Sequence, residues 1–142
     1  MALGIVVVGH GKFAEGLTHT IEMIAGKQED YVSVVFDEGA PFEKLSEDIK
    51  KALDSMNEGA IVCCDLLGGS PFKAAYELKV QYDNVAVIVG TNVPLLLELC
   101  FGRLAHTNAL ECAQEVVNKA ATSIQVIDTL GERKQEDEGD GI

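Results

Sequence analysis

The sequence contains no tryptophan, three prolines and only 6% aromatic residues. Basic residues are also scarce, because 11 Lys and Arg stand against 23 Asp and Glu, and the net charge is −12 at pH 7. Binding to nucleic acid requires basic side chains that neutralise phosphates, and often aromatic side chains that stack on bases. The composition therefore argues against a nucleic-acid partner, and its acidity equally disfavours an anionic membrane surface.

Long apolar runs and targeting signals are missing as well. No apolar run approaches the roughly 20 residues of a membrane-spanning helix, and the first residues show neither a basic region nor a signal-peptide cleavage site. The four cysteines, Cys63, Cys64, Cys100 and Cys112, have neither the spacing of a disulfide scaffold nor a C-x-x-C metal motif. We expect core thiols, no metal site, no membrane insertion and a cytoplasmic location.

The hydrophobic pattern of the 142 residues predicts a single α/β domain. Short runs rich in Val, Ile and Cys at 4–8, 31–36, 60–64 and 85–89 are typical of strands buried on both faces of a parallel sheet. Segments with helical spacing lie between and after them. This alternation predicts an open doubly wound sheet with four parallel strands in the order 2-1-3-4 and helices on both faces.

The C-terminal part of the chain has two further features. Residues 123–129 alternate in polarity, which predicts a last strand at the edge of the sheet. Residues 131–142 contain five acidic residues, two basic residues and three glycines. We therefore divide the chain into a folded domain over 1–130 and an acidic, solvated tail over 131–142, which is expected to be disordered.

Three loops should meet at the carboxyl ends of the strands, where open α/β sheets bind ligands. With the order 2-1-3-4, strands 1 and 3 are neighbours, so His10 and Asp65 are expected to face each other across the crevice. A carboxylate that accepts the Nδ1–H of a histidine leaves Nε2 free as a nucleophile. Gly9 and Gly11 would leave room for a bulky reactant beside the imidazole.

The loop after strand 3 supplies an anion site in this prediction. Ser70 is expected to be the N-cap of a helix and Pro71 its first residue. The backbone N–H groups of Gly68, Gly69, Ser70 and Phe72 would then bind phosphate at a helix N-terminus. A nucleophilic imidazole beside such a site indicates phosphoryl transfer through phosphohistidine.

Simpler interpretations of these residues remain open. A single histidine at a strand end, such as His10, is more often an ordinary loop residue, and Asp65 fits a backbone cap. Lys12 and Lys73 flank the predicted anion site but are equally expected of a solvated surface. A dinucleotide-binding site is a second alternative, because residues 9–14 match G-x-G-x-x-[GA] after a strand and Asp37 follows strand 2.

Three motifs carry a resemblance to a known family. They are Gly-His-Gly-Lys-Phe-Ala-Glu-Gly-Leu at 9–17, Asp-Leu-Leu-Gly-Gly-Ser-Pro-Phe at 65–72 and Gly-Thr-Asn-Val-Pro-Leu-Leu-Leu-Glu at 90–98. In these motifs the chain resembles the mannose-family EIIA components of the bacterial sugar phosphotransferase system, over about residues 3–130. The first and third motifs look most like the N-acetylgalactosamine/galactosamine branch.

The resemblance implies a relay without a dissociable cofactor. His10 would take a phosphoryl group from the phosphocarrier HPr and pass it to an EIIB component on a separate polypeptide, which acts with membrane EIIC and EIID. Asp65 matches the residue that orients the histidine, and Ser70 matches the hydroxyl near the phosphoryl group. The family also forms homodimers in which the last strand is exchanged and added antiparallel to the sheet, which would give residues 123–129 a partner edge.

Two alternative functions share part of this prediction. An EIIA-like subunit of a dihydroxyacetone-kinase phosphotransferase would use the same His10 chemistry with another acceptor. A sensor domain would be phosphorylated in order to regulate a partner, without passing the phosphoryl group on.

Overall fold

Strands and helices alternate along the chain in the computed structural model, which describes residues 2–129. The elements are β1 (Gly4–His10), α1 (Phe13–Ala25), β2 (Tyr31–Phe36), α2 (Phe42–Asp54), β3 (Ala60–Cys64), α3 (Gly69–Lys79), β4 (Val85–Ile88), α4 (Val93–Gly102), a 3-10 turn (Arg103–Ala105) and α5 (Ala109–Ala120). The first strand runs two residues further than predicted, so His10 is its last residue.

The four strands form one parallel sheet in the order β2-β1-β3-β4, as the sequence predicted. In this register His10 lies opposite Phe36 of β2, and Val8 lies opposite Cys64 of β3. The carboxyl ends of β1, β2 and β3 therefore meet at one edge of the sheet. This arrangement places the loops that follow β1 and β3 next to each other.

Each face of the sheet is covered by a separate hydrophobic core. Ile5 and Val7 of β1 point into a core built with α1, α4 and α5, whereas Val6 and Val8 point into a core built with α2 and α3. The alternation follows from the two-residue period of a strand. Continuous apolar runs thus mark strands with helices on both faces, as predicted.

All four cysteines are free and buried in these cores. Cys63 and Cys64 are adjacent in β3 and point into opposite cores. Burial raises the pKa of both thiols, that of Cys64 to about 12. The thiols are therefore protonated at neutral pH and act as small apolar side chains, which confirms the expectation of core thiols.

Arg103 is buried between the 3-10 turn and the amino end of the sheet. Its guanidinium donates hydrogen bonds to the carbonyl oxygens of Leu3, Glu29 and Asp30 at 2.7–3.0 Å. These bonds fasten the start of β1 to the turn before β2. The contact is structural, since it lies at the opposite end of the strands from the site described below.

The predicted C-terminal edge strand does not form in the described chain. Residues 123–129 pair with neither edge of the sheet, and the side chains of Ile124 and Val126 are 86% and 94% exposed. The free edges of β2 and β4 therefore stay unpaired by this segment within the described residues. The predicted tail over 131–142 lies outside the described residues.

Within residues 2–129, no helix is both long and apolar enough to cross a membrane.

Candidate functional site

The carboxyl ends of β1 and β3 bring His10 and Asp65 together, as the predicted strand order required. The imidazole Nδ1 of His10 lies 2.7 Å from Oδ2 of Asp65. The same oxygen accepts a hydrogen bond of 2.9 Å from the backbone N–H of His10, and Oδ1 accepts one of 2.9 Å from the N–H of Leu66. The histidine is thus held at both its backbone and its ring.

The electrostatics of this pair determine which nitrogen of the neutral ring carries the lone pair. Partial burial alone would raise the pKa of Asp65, but the hydrogen bonds donated by His10 and Leu66 outweigh it and lower that pKa. The carboxylate is therefore ionised at neutral pH and can only accept, so Nδ1 carries the hydrogen between them. In the neutral imidazole this leaves the lone pair on Nε2.

The Nε2 side of the ring borders the start of α3. A Cβ atom added to Gly69 would lie 3.0 Å from Cε1 and 3.3 Å from Nε2 of His10. Gly69 also has a φ of +79°, in the left-handed region that favours glycine. A hydrogen atom at this position keeps open the space next to Nε2.

The start of α3 differs from the prediction. The helix begins at Gly69 with Gly68 in the N-cap position, and no side chain caps it. Ser70 is therefore not the N-cap and Pro71 is not the first residue, because two glycines with φ of +85° and +79° turn the chain into the helix earlier. Ser70 instead lies in the first turn of α3, whose backbone N–H groups have no partner within the helix.

Aromatic side chains lie on both sides of this region. Phe72 stacks on Tyr76 one turn along α3, with 5.7 Å between ring centroids. Both rings line a depression of about 420 Å³ together with Gly68, Gly69 and Ser70. On the other side, the ring of Phe36 packs against the imidazole of His10 at 6.0 Å and 66°.

The remaining predicted residues divide between this site and other contacts. Lys73 extends over the ring of Phe42, with Nζ 5.1 Å from its centroid. Lys12 is exposed and precedes α1. The loop between β4 and α4 makes structural contacts. Thr91 is buried there, and Asn92 caps α4 by accepting a hydrogen bond from the N–H of Leu95.

The sequence interpretation missed Phe36 and Tyr76. Phe36 ends β2 opposite His10. The predicted strand order makes β1 and β2 neighbours, so aligning their ends would have placed Phe36 next to His10. Tyr76 follows Phe72 by four residues, the spacing of neighbours on one helix face.

The fold and the site together define a small α/β protein in which a carboxylate holds one half-exposed imidazole beside the first turn of a helix. A family model described as "PTS system fructose IIA component", EIIA-man, matches residues 4–133. The chain therefore belongs to this family of EIIA components of the sugar phosphotransferase system, as its motifs predicted.

Individual relatives agree with the family model. The chain is 36% identical over 105 residues to the "PTS system mannose-specific EIIAB component" of Escherichia coli K12, covering 72% of this chain and 32% of that protein. It thus spans about a third of that relative. It is 28% identical over 99 residues to the "PTS system fructose-specific EIIA component" of Bacillus subtilis, covering 68% of each.

A solved structure supports the fold as well. The phosphotransferase system component EIIA from Streptococcus agalactiae superposes with a TM-score of 0.83 at 27% identity, over 87% of this chain and 96% of that one. These similarities do not favour a dinucleotide-binding domain, a sensor or a dihydroxyacetone-kinase subunit.

Proposed function

We propose that this chain accepts a phosphoryl group from the phosphocarrier HPr on Nε2 of His10 and passes it to an EIIB component, for coupled sugar uptake. The observation that carries the proposal is the 2.7 Å contact between Nδ1 of His10 and Oδ2 of Asp65. It leaves the Nε2 lone pair to attack phosphorus while the bond between phosphorus and the donor nitrogen breaks. In the second step a nucleophile of the EIIB component attacks the same phosphorus atom while the bond between phosphorus and Nε2 breaks.

The residues around His10 have separate roles in this reaction. Asp65 keeps the hydrogen on Nδ1 and stabilises the imidazole as it becomes positively charged on phosphorylation. Ser70 contacts the phosphoryl oxygens, and the backbone N–H groups of Gly68, Gly69 and Ser70 stabilise the negative charge of those oxygens at the start of α3. The N–H of Phe72, which the sequence also assigned to this role, is the fourth of the helix and donates within α3 instead. The side chain of His10 is half exposed, at 50%, so a second protein can reach it.

The surface beside His10 suits a brief contact with another protein. Leu66, Leu67 and Tyr76 are 49%, 69% and 56% exposed and belong to the loop after β3 and to α3. Exposed apolar side chains beside a reactive group are typical of protein-docking sites. The net charge of −12 would speed encounter with a positively charged carrier surface.

Phosphorylation with purified components tests the function. The chain is incubated with enzyme I, HPr and phosphoenolpyruvate, followed by intact mass and peptide mapping. We expect one acid-labile phosphoryl group on His10, which is lost in His10→Gln and retained in the control His19→Gln, whose histidine is exposed on α1. Absence of that group from the wild-type chain would refute the proposal, and dephosphorylation on addition of EIIB tests the second step.

We also propose a homodimer in which residues 123–129 add to the sheet of a second copy. Ile124 and Val126 alternate with Gln125 and are almost fully exposed in the single chain. A groove of about 550 Å³ runs along the free edge at β4 and α5, lined by Val87, Val89, Leu110 and Val117 among others. Inserting a strand there would bury apolar side chains and complete the open edge.

The oligomeric state can be measured directly. Light scattering coupled to gel filtration should give a dimer for the wild-type chain and a monomer for Val126→Asp, with Thr122→Asp as the control just before the segment. A monomeric wild-type chain would overturn this proposal without affecting the phosphoryl-transfer test.

Two further parts of the proposal concern its setting. We place the reaction in the cytoplasm, with EIIC and EIID as indirect membrane partners, and the four free thiols are in keeping with a reducing compartment. The wording of the first and third motifs predicts N-acetylgalactosamine or galactosamine as the sugar. Uptake of labelled sugars in a strain lacking this chain tests that prediction.

A further inference from the structure

We propose that Phe36 is a positioning residue for the phosphoryl-transfer reaction, because it holds the imidazole of His10 so that Nε2 faces the start of α3. This inference rests on the proposed function. It concerns a residue on β2, a strand that contributes nothing else to the predicted chemistry.

The contacts of the imidazole leave it little freedom. Asp65 holds Nδ1 of the ring, and a Cβ atom at Gly69 would lie 3.0 Å from Cε1 and 3.3 Å from Nε2. The ring of Phe36 lies 6.0 Å from the imidazole, at an interplanar angle of 66°. The hydrogen bond at Nδ1 still permits the imidazole ring to tilt about the line between Nδ1 and Oδ2. An aromatic neighbour restricts that motion through edge-to-face packing.

The position of Phe36 is itself secured by the backbone. Phe36 and His10 are partners in the register of β2 and β1, and the N–H of Gly11 donates to the carbonyl oxygen of Phe36 at 2.8 Å. Phe36 therefore moves with the strand end that carries His10. A side chain so placed can define the direction of Nε2 without touching the phosphoryl group.

The other side of Phe36 has open space. Phe36 lines a groove of about 590 Å³ between β2 and α2, together with Val34 and Leu45. Phe36 is half-buried and also packs against the core on this face of the sheet. A leucine at position 36 keeps part of that apolar contact and removes the aromatic ring beside the imidazole. We expect Phe36→Leu to fold and to loosen His10 rather than to collapse the core.

The test compares Phe36→Leu with Phe42→Leu, a half-buried phenylalanine that packs in the same core. Phosphorylation by phospho-HPr should show a kcat that falls about three- to tenfold in Phe36→Leu, with a KM within about twofold of wild type. Phe36→Tyr should restore most of kcat, because it retains the aromatic face. Phe42→Leu should leave both constants near the wild-type values.

A second readout needs no partner protein. In ¹⁵N spectra of the imidazole we expect the two His10 resonances of Phe36→Leu to move toward their common average, whereas those of Phe42→Leu stay in place. If the wild-type chain is not phosphorylated, the proposed function fails and these spectra still test the contact. Wild-type kcat in Phe36→Leu, equal losses in both variants, or a change confined to KM would each overturn the positioning role.

Discussion

Replacement of Asp65 by Asn provides the sharpest perturbation of the site. The two side chains have nearly the same shape, so the change removes charge and leaves volume. In the wild-type chain Oδ2 accepts from both the backbone N–H and Nδ1 of His10, and Oδ1 accepts from the N–H of Leu66. An amide presents only one acceptor atom, so at least one of these three donors loses its partner.

The structure sets the size of the expected effect. The hydrogen bond from Nδ1 is the one that strengthens as the ring gains charge, and a hydrogen bond to a charged group is worth roughly 1.5–3 kcal/mol. If the transition state loses that much stabilising free energy, the rate falls by about 10- to 150-fold. The reduction should appear in kcat, because Asp65 is 11% exposed and offers little surface to a docking protein.

The assay is the rate of phosphorylation by phospho-HPr, measured in single turnover with Asp37→Asn as the matched control. Asp37 is an exposed aspartate directly after β2. Thermal unfolding of each variant separates a loss of chemistry from a loss of fold. A wild-type rate in Asp65→Asn, or an equal loss in Asp37→Asn, would remove the orienting role of Asp65.

Three further predictions concern titration and stability. Hydrogen bonds in the folded state lower the pKa of Asp65 below its ordinary value of 3.8, so the contribution of this carboxylate to stability is complete above that value and is lost as pH falls through the lower folded pKa. Carboxyl ¹³C shifts followed against pH check this, and titration at or above 3.8 contradicts it. Arg103→Met removes the hydrogen bonds to three backbone carbonyls and should lower the free energy of unfolding by about 2–4 kcal/mol in urea denaturation, with phosphorylation of the folded fraction unchanged. Asn108→Ala removes the 2.8 Å cap on the N–H of Glu111 and should cost about 1 kcal/mol, whereas the exposed control Gln114→Ala should be neutral.

The order of secondary structure was predictable because it depends on local pattern. Runs of Val and Ile marked β1 to β4, and the alternation with helices led to the parallel order that the structure has. The meeting of His10 and Asp65 followed from that order, since neighbouring strand ends must lie close together.

The start of α3 was not predictable in the same way. Ser-Pro is typical of a helix start, but the conformations of Gly68 and Gly69 place the first turn earlier. Glycine permits positive φ without requiring it, so the surrounding structure decides. The expected strand over 123–129 does not form in the single chain, although the edges of β2 and β4 are free. Alternating polarity permits a strand, but the placement of the segment against a particular edge depends on tertiary structure.

Residue pattern alone predicted β1 to β4 and the helices between and after them, the buried faces of the strands, and the pairing of His10 with Asp65 in the candidate site. These depend on residue periodicity and on which side chains follow each strand. The packing of Phe36 against His10, the position of Gly69 beside Nε2 and the contact of Lys73 with Phe42 became apparent in the folded structure. Such contacts join residues far apart in the chain, and distances of a few ångströms between them arise from how whole elements pack.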